Sequence, residues 1–147
     1  MKRTMQQKIK HAGLTLFELL IVITILAIIA SFAYPSYANT MLELKRLEAK
    51  SALYDIQTRY ERYYAIHKTY SGATLGGGKT SIYPSTITQN GHYKLEMSEI
   101  KPQAYQLSAI PISAATKGDK QCGTFILNSL GEQAISGTGS AYRCWQR

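Results

Sequence analysis

The sequence is poor in the residues that usually carry catalysis or bind metals. It has only two cysteines, three histidines and nine acidic residues in a chain of 147. No serine–histidine–aspartate or cysteine–histidine arrangement is suggested, so an enzyme is not expected. Two cysteines without a nearby histidine are too few ligands for a metal site, and nothing in the pattern predicts a cofactor. The length allows one domain and little more, which excludes a large multi-domain enzyme.

Charge is absent from residues 19–42, and most of this stretch is apolar. Between Leu19 and Tyr34, 14 of 16 residues are apolar. An α-helix rises 1.5 Å per residue, so about 20 residues cross a hydrocarbon core of roughly 30 Å. Residues 14–34 meet that requirement. The mean hydropathy of −0.17 is therefore the average of a membrane helix and a polar domain.

Acidic residues are also absent from the first 13 positions, which contain four basic side chains. The positive-inside rule keeps such a segment cytoplasmic and places the rest of the chain outside the cytoplasm. A secretory signal would have a small-residue cleavage site after its apolar run. Here the small residues come before it, at Ala12 and Gly13.

Glu18 is the one carboxylate at the start of the apolar helix, where an unpaired charge is costly. One interpretation is an acid that snorkels to the membrane interface. The other is that cleavage after Gly13 creates an ammonium group on Leu14. That group would pair with Glu18 of its own or of a neighbouring subunit.

Residues 13–22, GLTLFELLIV, resemble the type III signal of type IV prepilins and pseudopilins. The family pattern is a basic leader, glycine, usually phenylalanine, then Thr-Leu-x-Glu-Leu and an apolar helix. The resemblance implies cleavage between Gly13 and Leu14 by prepilin peptidase, and N-methylation of Leu14. It also implies that Glu18 acts in assembly. Leu14 departs from the usual phenylalanine.

The helical pattern continues beyond the apolar run to about residue 66, with a break predicted at Pro35. Apolar residues recur every three or four positions and predict one buried face, formed by Ala49, Ala52, Leu53, Ile56, Tyr60, Tyr63 and Tyr64. The basic residues are predicted to lie mostly off that face; they are Lys45, Arg46, Lys50, Arg59 and Arg62. Asp55 and Arg59 have the spacing of a helical ion pair. In pilins, a proline at the place of Pro35 marks a segment that loosens on filament assembly.

Three segments with alternating polar and apolar residues follow, at 92–97, 105–110 and 124–128. The last one is predicted to run toward Ala134 and Ile135 through a turn. Short turns between neighbouring strands predict an antiparallel sheet that packs on the long helix, which is an α+β domain. The resemblance implies that this domain has the type IV pilin fold. The expected organisation is a cleaved leader over 1–13, a transmembrane and assembly helix over 14–36, and a periplasmic globular domain over 37–147. That domain includes the second half of the helix.

Cys122 and Cys144 are the only cysteines, and the predicted export places them in an oxidising compartment. A disulfide between them would stabilise the fold by roughly 3 kcal/mol in the chain-entropy model. It would pin the C-terminal segment to the third strand, as in the C-terminal loop of pilins.

Several shorter motifs in the mature chain resemble PilE-type minor pilins, a group that includes the competence pilin ComP. They include ERYY at 61–64, KTY at 68–70, GHY at 91–93, GDKQCGTF at 118–125 and the CW pair at 144–145. The resemblance implies a minor subunit of a type IV pilus. Its partners would be other pilins, prepilin peptidase, the inner membrane and the pilus assembly machinery there. Its final location would be the extracellular pilus.

Two alternatives remain at this stage. One is a competence pilin that binds DNA, with phosphate contacts from Lys94, Lys117, Lys120 and Arg143. Against it stands a scattered, solvated surface, since residues 37–147 have a net charge of only +5. The other alternative is a pseudopilin of a type II secretion system, although many pseudopilins lack a disulfide-closed C-terminal loop.

Overall fold

The computed structural model describes Gly13 and residues 15–146. The leader up to residue 12 and Leu14 lie outside the described residues, so cleavage after Gly13 and methylation of Leu14 stay predictions. In chain order the elements are α1 (Leu16–His67), β1 (Thr74–Leu75), β2 (Ser81–Tyr83), β3 (Tyr93–Lys101), β4 (Ala104–Pro111), α2 (Ala114–Lys117), β5 (Phe125–Asn128), β6 (Gln133–Ile135) and α3 (Ala141–Gln146). The chain divides into two units, Met1–Ala38 and Asn39–Arg147.

The first unit contains the apolar part of α1, whose side chains are exposed. By length and composition this helix is suited to cross a membrane. Helical structure continues through position 35, and a bend or weakening of α1 at Pro35 stays a prediction. A proline removes one main-chain hydrogen bond, and the bonds of the neighbouring turns maintain the helix. Loosening of this segment on assembly stays a prediction.

The second unit contains a four-stranded antiparallel meander in the order β3-β4-β5-β6. The register pairs Leu95 with Ala109 and Leu107 with Leu127. The three predicted strand segments are therefore confirmed, with β6 as the predicted continuation. A small parallel pair, β1 with β2, lies between α1 and β3, where the sequence pattern predicted no strand.

The core lies between the sheet and the part of α1 that follows residue 48. The buried side chains of the sheet alternate along its strands; they are Tyr93, Leu95, Tyr105, Leu107, Ala109, Phe125 and Leu127. They pack with the predicted helix face, of which Ala49 to Tyr60 are buried and Tyr63 and Tyr64 partly buried. Tyr60 stacks on Tyr105 with ring centroids 4.3 Å apart. The predicted face is thus confirmed.

Two of the basic residues expected off this face are not solvated. Lys50 is only 4% exposed, and Arg46 is partly buried. Both have partners in the C-terminal loop, which local periodicity does not reveal. The exposed pair of Asp55 and Arg59 is confirmed, with Oδ1 and Nε 3.0 Å apart.

Candidate functional site

Glu18 is held by the residue that precedes α1. The amide and hydroxyl of Thr15 donate to Oε2 of Glu18 at 3.1 and 3.0 Å, and the amide of Glu18 donates to the Thr15 hydroxyl at 3.2 Å. This is a capping box, which satisfies main-chain donors at the start of a helix. The Thr-x-x-Glu signature of residues 15–18 is typical of such a cap and was the sequence signal for it. The pairing of Glu18 with an ammonium on Leu14 stays a prediction.

The disulfide between Cys122 and Cys144 is present as expected, and it joins α3 to the segment before β5. Both cysteines are buried. On α3, Trp145 is also buried, and its indole N–H donates to the carbonyl of Ala134 at 3.0 Å. The rings of Trp145 and Phe125 meet edge-to-face at 5.5 Å. The disulfide and the indole therefore hold α3 against β6 and the core.

Main-chain hydrogen bonds join the bent segment 136–139 to residues 120–124. Gly137 donates to the carbonyl of Cys122 at 3.1 Å, and Gly139 donates to that of Gln121 at 2.8 Å. A Cβ atom at Gly137 would overlap the Gln121 carbonyl, and one at Gly139 would lie 2.7 Å from its oxygen. Only glycine allows the two segments to approach this closely.

Arg46 anchors the beginning of the disulfide-closed loop to α1. Its Nε and Nη2 each donate to one carboxylate oxygen of Asp119, both at 2.7 Å. The amide of Cys122 donates to the same carboxylate at 3.2 Å. Burial opposes ionisation of Asp119, but the hydrogen bonds from Arg46 and Cys122 outweigh it and lower the pKa of Asp119.

Lys50 lies one helical turn further along α1 and anchors the other end of the loop. Its Nζ donates to the carbonyl oxygen of Trp145 at 3.4 Å, near the C-terminus of α3, where a cation is favourable. Burial, with the nearby charge of Arg46, lowers the pKa of Lys50. Two cations of one helix face therefore hold both ends of the disulfide loop.

An open groove of about 970 Å³ lies between α1 and this loop. Its lining residues are Asn39, Leu42, Glu43, Arg46, Gly118, Asp119, Lys120, Gln121, Thr138, Gly139, Ser140, Arg143 and Cys144. The groove thus brings together Lys120 and Arg143, two of the four predicted phosphate contacts. Lys117 ends α2 directly before Gly118.

Lys94 differs from the other three predicted contacts. It does not line the groove, and on the exposed face of β3 its Nζ lies 2.7 Å from Oε1 of Glu96. Within the described part of the chain, no carboxylate lies at ion-pair distance from Lys117, Lys120 or Arg143. Residues 15–146 also contain no group of three or more metal-ligating side chains placed to hold an ion.

Two family profiles match the sequence of the chain. The sequence profile of one family, described as "Type IV minor pilin ComP, DNA uptake sequence receptor", matches residues 35–126. The profile of the prokaryotic N-terminal methylation motif matches residues 8–34. No curated protein sequence matches the chain.

Two solved structures are similar. The non-core minor pilin PilV of Neisseria meningitidis is 25% identical, with 67% of this chain and 93% of that chain covered and a TM-score of 0.46. A type IV pilin from Shewanella oneidensis is 17% identical, with 63% and 92% covered and a TM-score of 0.42.

An apolar N-terminal helix with a methylation motif, an antiparallel sheet on its later turns and a disulfide-closed C-terminal loop define a type IV pilin. The match over residues 35–126 is more specific. The chain belongs to the ComP family of type IV minor pilins. Members of this class are structural subunits of the pilus.

Proposed function

We propose that this minor pilin binds duplex DNA through the basic residues at the groove beside the disulfide loop. One observation carries the proposal: Lys120 and Arg143, 23 positions apart in sequence, border the same groove. Because phosphate contacts from lysine and arginine release counterions, such a pair supplies affinity that depends on salt. The description of the matched family as an uptake-sequence receptor supports the same ligand.

The acidic residues at the groove do not cancel these charges. Asp119 is bonded to Arg46, and its side chain is only 2% exposed. Glu43 is the other carboxylate of the lining, against the two cations Lys120 and Arg143, which form no ion pair with another described residue. Lys117 adds a third cation at the end of α2. Lys94 is expected to contribute less, because a phosphate would compete with Glu96 for it.

The proposal includes the route by which the subunit reaches the filament. Prepilin peptidase cleaves between Gly13 and Leu14, and Leu14 is then methylated. The apolar part of α1 spans the inner membrane once, with the globular domain in the periplasm, until the assembly machinery packs the subunit among other pilins. The methylation-motif match and the composition of α1 support this route. The role is structural and DNA-binding, with no catalytic step.

The binding proposal can be tested with the full chain in a nonionic detergent. The probe is a fluorescein-labelled 30-bp duplex of mixed sequence, followed by fluorescence anisotropy at several salt concentrations. The variant K120A/R143A is expected to bind at least about tenfold more weakly at low salt. Its slope of log K against log salt should be shallower by about 2, because each lost phosphate contact removes about 0.9.

The matched control is R62A/K79A, which removes the same charge from exposed residues outside the groove lining. Equal losses in both variants would show a diffuse electrostatic attraction and would contradict a site at the groove. Undetectable or salt-insensitive binding by the wild-type chain would contradict DNA binding altogether.

The cellular role is tested by deleting the chain and measuring surface pili, transformation and secretion. Lost DNA uptake with pili intact is expected for a dedicated DNA-binding minor pilin. Lost pili would indicate a role in filament assembly instead. Lost secretion alone would support the pseudopilin alternative, which the match to a pilus family disfavours.

A further inference from the structure

Helix α3 exposes one aromatic side chain, which is outside the groove lining but next in sequence to a residue of that lining. Tyr142 is 71% exposed, and its neighbour Arg143 is also exposed and borders the groove. The next two residues, Cys144 and Trp145, are buried at 4% and 7% exposure. Helix α3 therefore has a buried pair, Cys144 and Trp145, and an exposed outer pair, Tyr142 and Arg143. The outer pair combines an aromatic ring with a cation.

The helix that carries Tyr142 is held at several points. The disulfide and the indole hydrogen bond attach its inner side, and Lys50 donates to the carbonyl of Trp145. The amide of Cys144 donates to the carbonyl of Ser140 at 3.1 Å. A tyrosine on a fixed backbone has only two side-chain torsions to order on binding, so it gives a large contact area at low entropic cost.

A lone exposed aromatic is ordinary on a protein surface. Tyr142 differs because its neighbour in sequence borders the groove together with Lys120. The two cations supply contacts of a kind that positions DNA without reading its sequence. A phenol has an apolar ring that can contact a thymine methyl or a sugar, and a hydroxyl that can bond a base edge. At about 9 Å, α3 is too short to act as a recognition helix, so any base contact from it would be made by a single side chain.

We propose that Tyr142 contacts base edges of duplex DNA and determines its sequence preference, while Lys120 and Arg143 contact the flanking phosphates. This inference rests on the proposed DNA binding at the groove. It assigns the two properties of binding to different side chains: charge sets affinity and salt dependence, and the tyrosine sets discrimination. Loss of the cations should therefore lower the affinity and the salt slope, whereas loss of the tyrosine ring should lower only the sequence preference.

The test uses the full chain in nonionic detergent with 30-bp duplexes that contain a randomised 12-bp centre. Bound duplexes are sequenced for the wild type, Y142A, Y142F and L130A. Leu130 is 82% exposed at the turn between β5 and β6 and does not line the groove, so L130A controls for loss of an exposed apolar group. The affinity of each variant for the mixed-sequence duplex and its salt slope are measured in parallel.

We expect Y142A to lose about tenfold or more of the enrichment that the wild type shows for its preferred sequence. Its salt slope should be unchanged, Y142F should retain the ring-dependent part of the preference, and L130A should match the wild type. Enrichment of the same sequence to the same degree by Y142A would overturn the role of Tyr142 and leave DNA binding at the groove intact. Reduced piliation of Y142A with unaltered enrichment would assign the ring to a subunit contact and would also overturn it. Absence of wild-type binding would instead overturn the proposed function.

Discussion

The guanidinium of Arg46 holds both carboxylate oxygens of Asp119, at 2.7 Å each, across 73 positions of sequence. The side chains are 14% and 2% exposed. Asp119 also accepts the amide of Cys122, so the pair links α1 directly to the disulfide loop. This contact positions the turn that carries Lys120, and Arg46 neutralises the negative charge of Asp119, the lining residue next to that lysine in sequence.

Replacement of Arg46 by leucine should destabilise the fold strongly. A buried carboxylate that loses its partner typically costs about 3 kcal/mol or more. The free energy of unfolding can be followed in detergent through the fluorescence of Trp145, the one tryptophan of the chain, which is buried. The control is R59L, which breaks an ion pair whose side chains are 44% and 47% exposed and should cost under about 1 kcal/mol. Similar losses in R46L and R59L would contradict a structural role for the buried pair.

The contribution of this pair should disappear in acid. Because the pKa of Asp119 is lowered in the folded state, its ionised form adds stability above the unfolded pKa of about 4. That stability is lost as the pH falls through the lower folded pKa. The difference in unfolding free energy between wild type and R46L should therefore be constant near neutral pH and shrink below about pH 4. A difference that does not shrink as the pH falls below about 4 would show that R46L acts through packing rather than through the charge.

The sequence pattern predicted the main elements well but not the partners of the buried cations. Alternation and helical periodicity are local properties, and they identified the sheet and the core face of α1. Helical periodicity placed Arg46 and Lys50 off the apolar face and indicated no partner for either. Their long side chains reach loop atoms that are 73 and 95 positions away in sequence, and no local pattern contains that information.

The candidate DNA contacts illustrate the same limit. A net charge of +5 gives the number of cations but not their positions. The chain fold brings Lys120 and Arg143 to one groove, with Lys117 next to its lining, while Lys94 lies on β3 beside Glu96.

The short strands β1 and β2 were not predicted, because strands of two and three residues are too short for alternation to be detected.

Replacement of Gly137 by alanine should disrupt the disulfide loop. A Cβ atom there would overlap the backbone carbonyl of Gln121, which cannot rotate away as a side chain could. Backbone shifts of this kind typically cost about 1–3 kcal/mol. Unfolding monitored by Trp145 fluorescence checks the loss. The control is G118A, because Gly118 has a φ of −75° and open space around its Cβ position. If G137A is as stable as G118A, the close approach of the two segments is not required.

Replacement of Glu18 by glutamine separates two roles of this residue. In the structure Glu18 completes a capping box with Thr15, and glutamine can fill the same position of that motif. Glutamine cannot replace the carboxylate as the charge partner of an ammonium on Leu14, because its side-chain amide is neutral. We therefore expect E18Q to be cleaved and to remain in the membrane, but to enter sheared pili at a level several-fold below wild type. The measurement is the ratio of mature subunit in pili to mature subunit in membranes.

The control is T15A, which removes the hydroxyl of the capping box and keeps the carboxylate of Glu18. T15A should assemble better than E18Q. The reverse order would show that helix capping, and not the charge, is what assembly requires of Glu18.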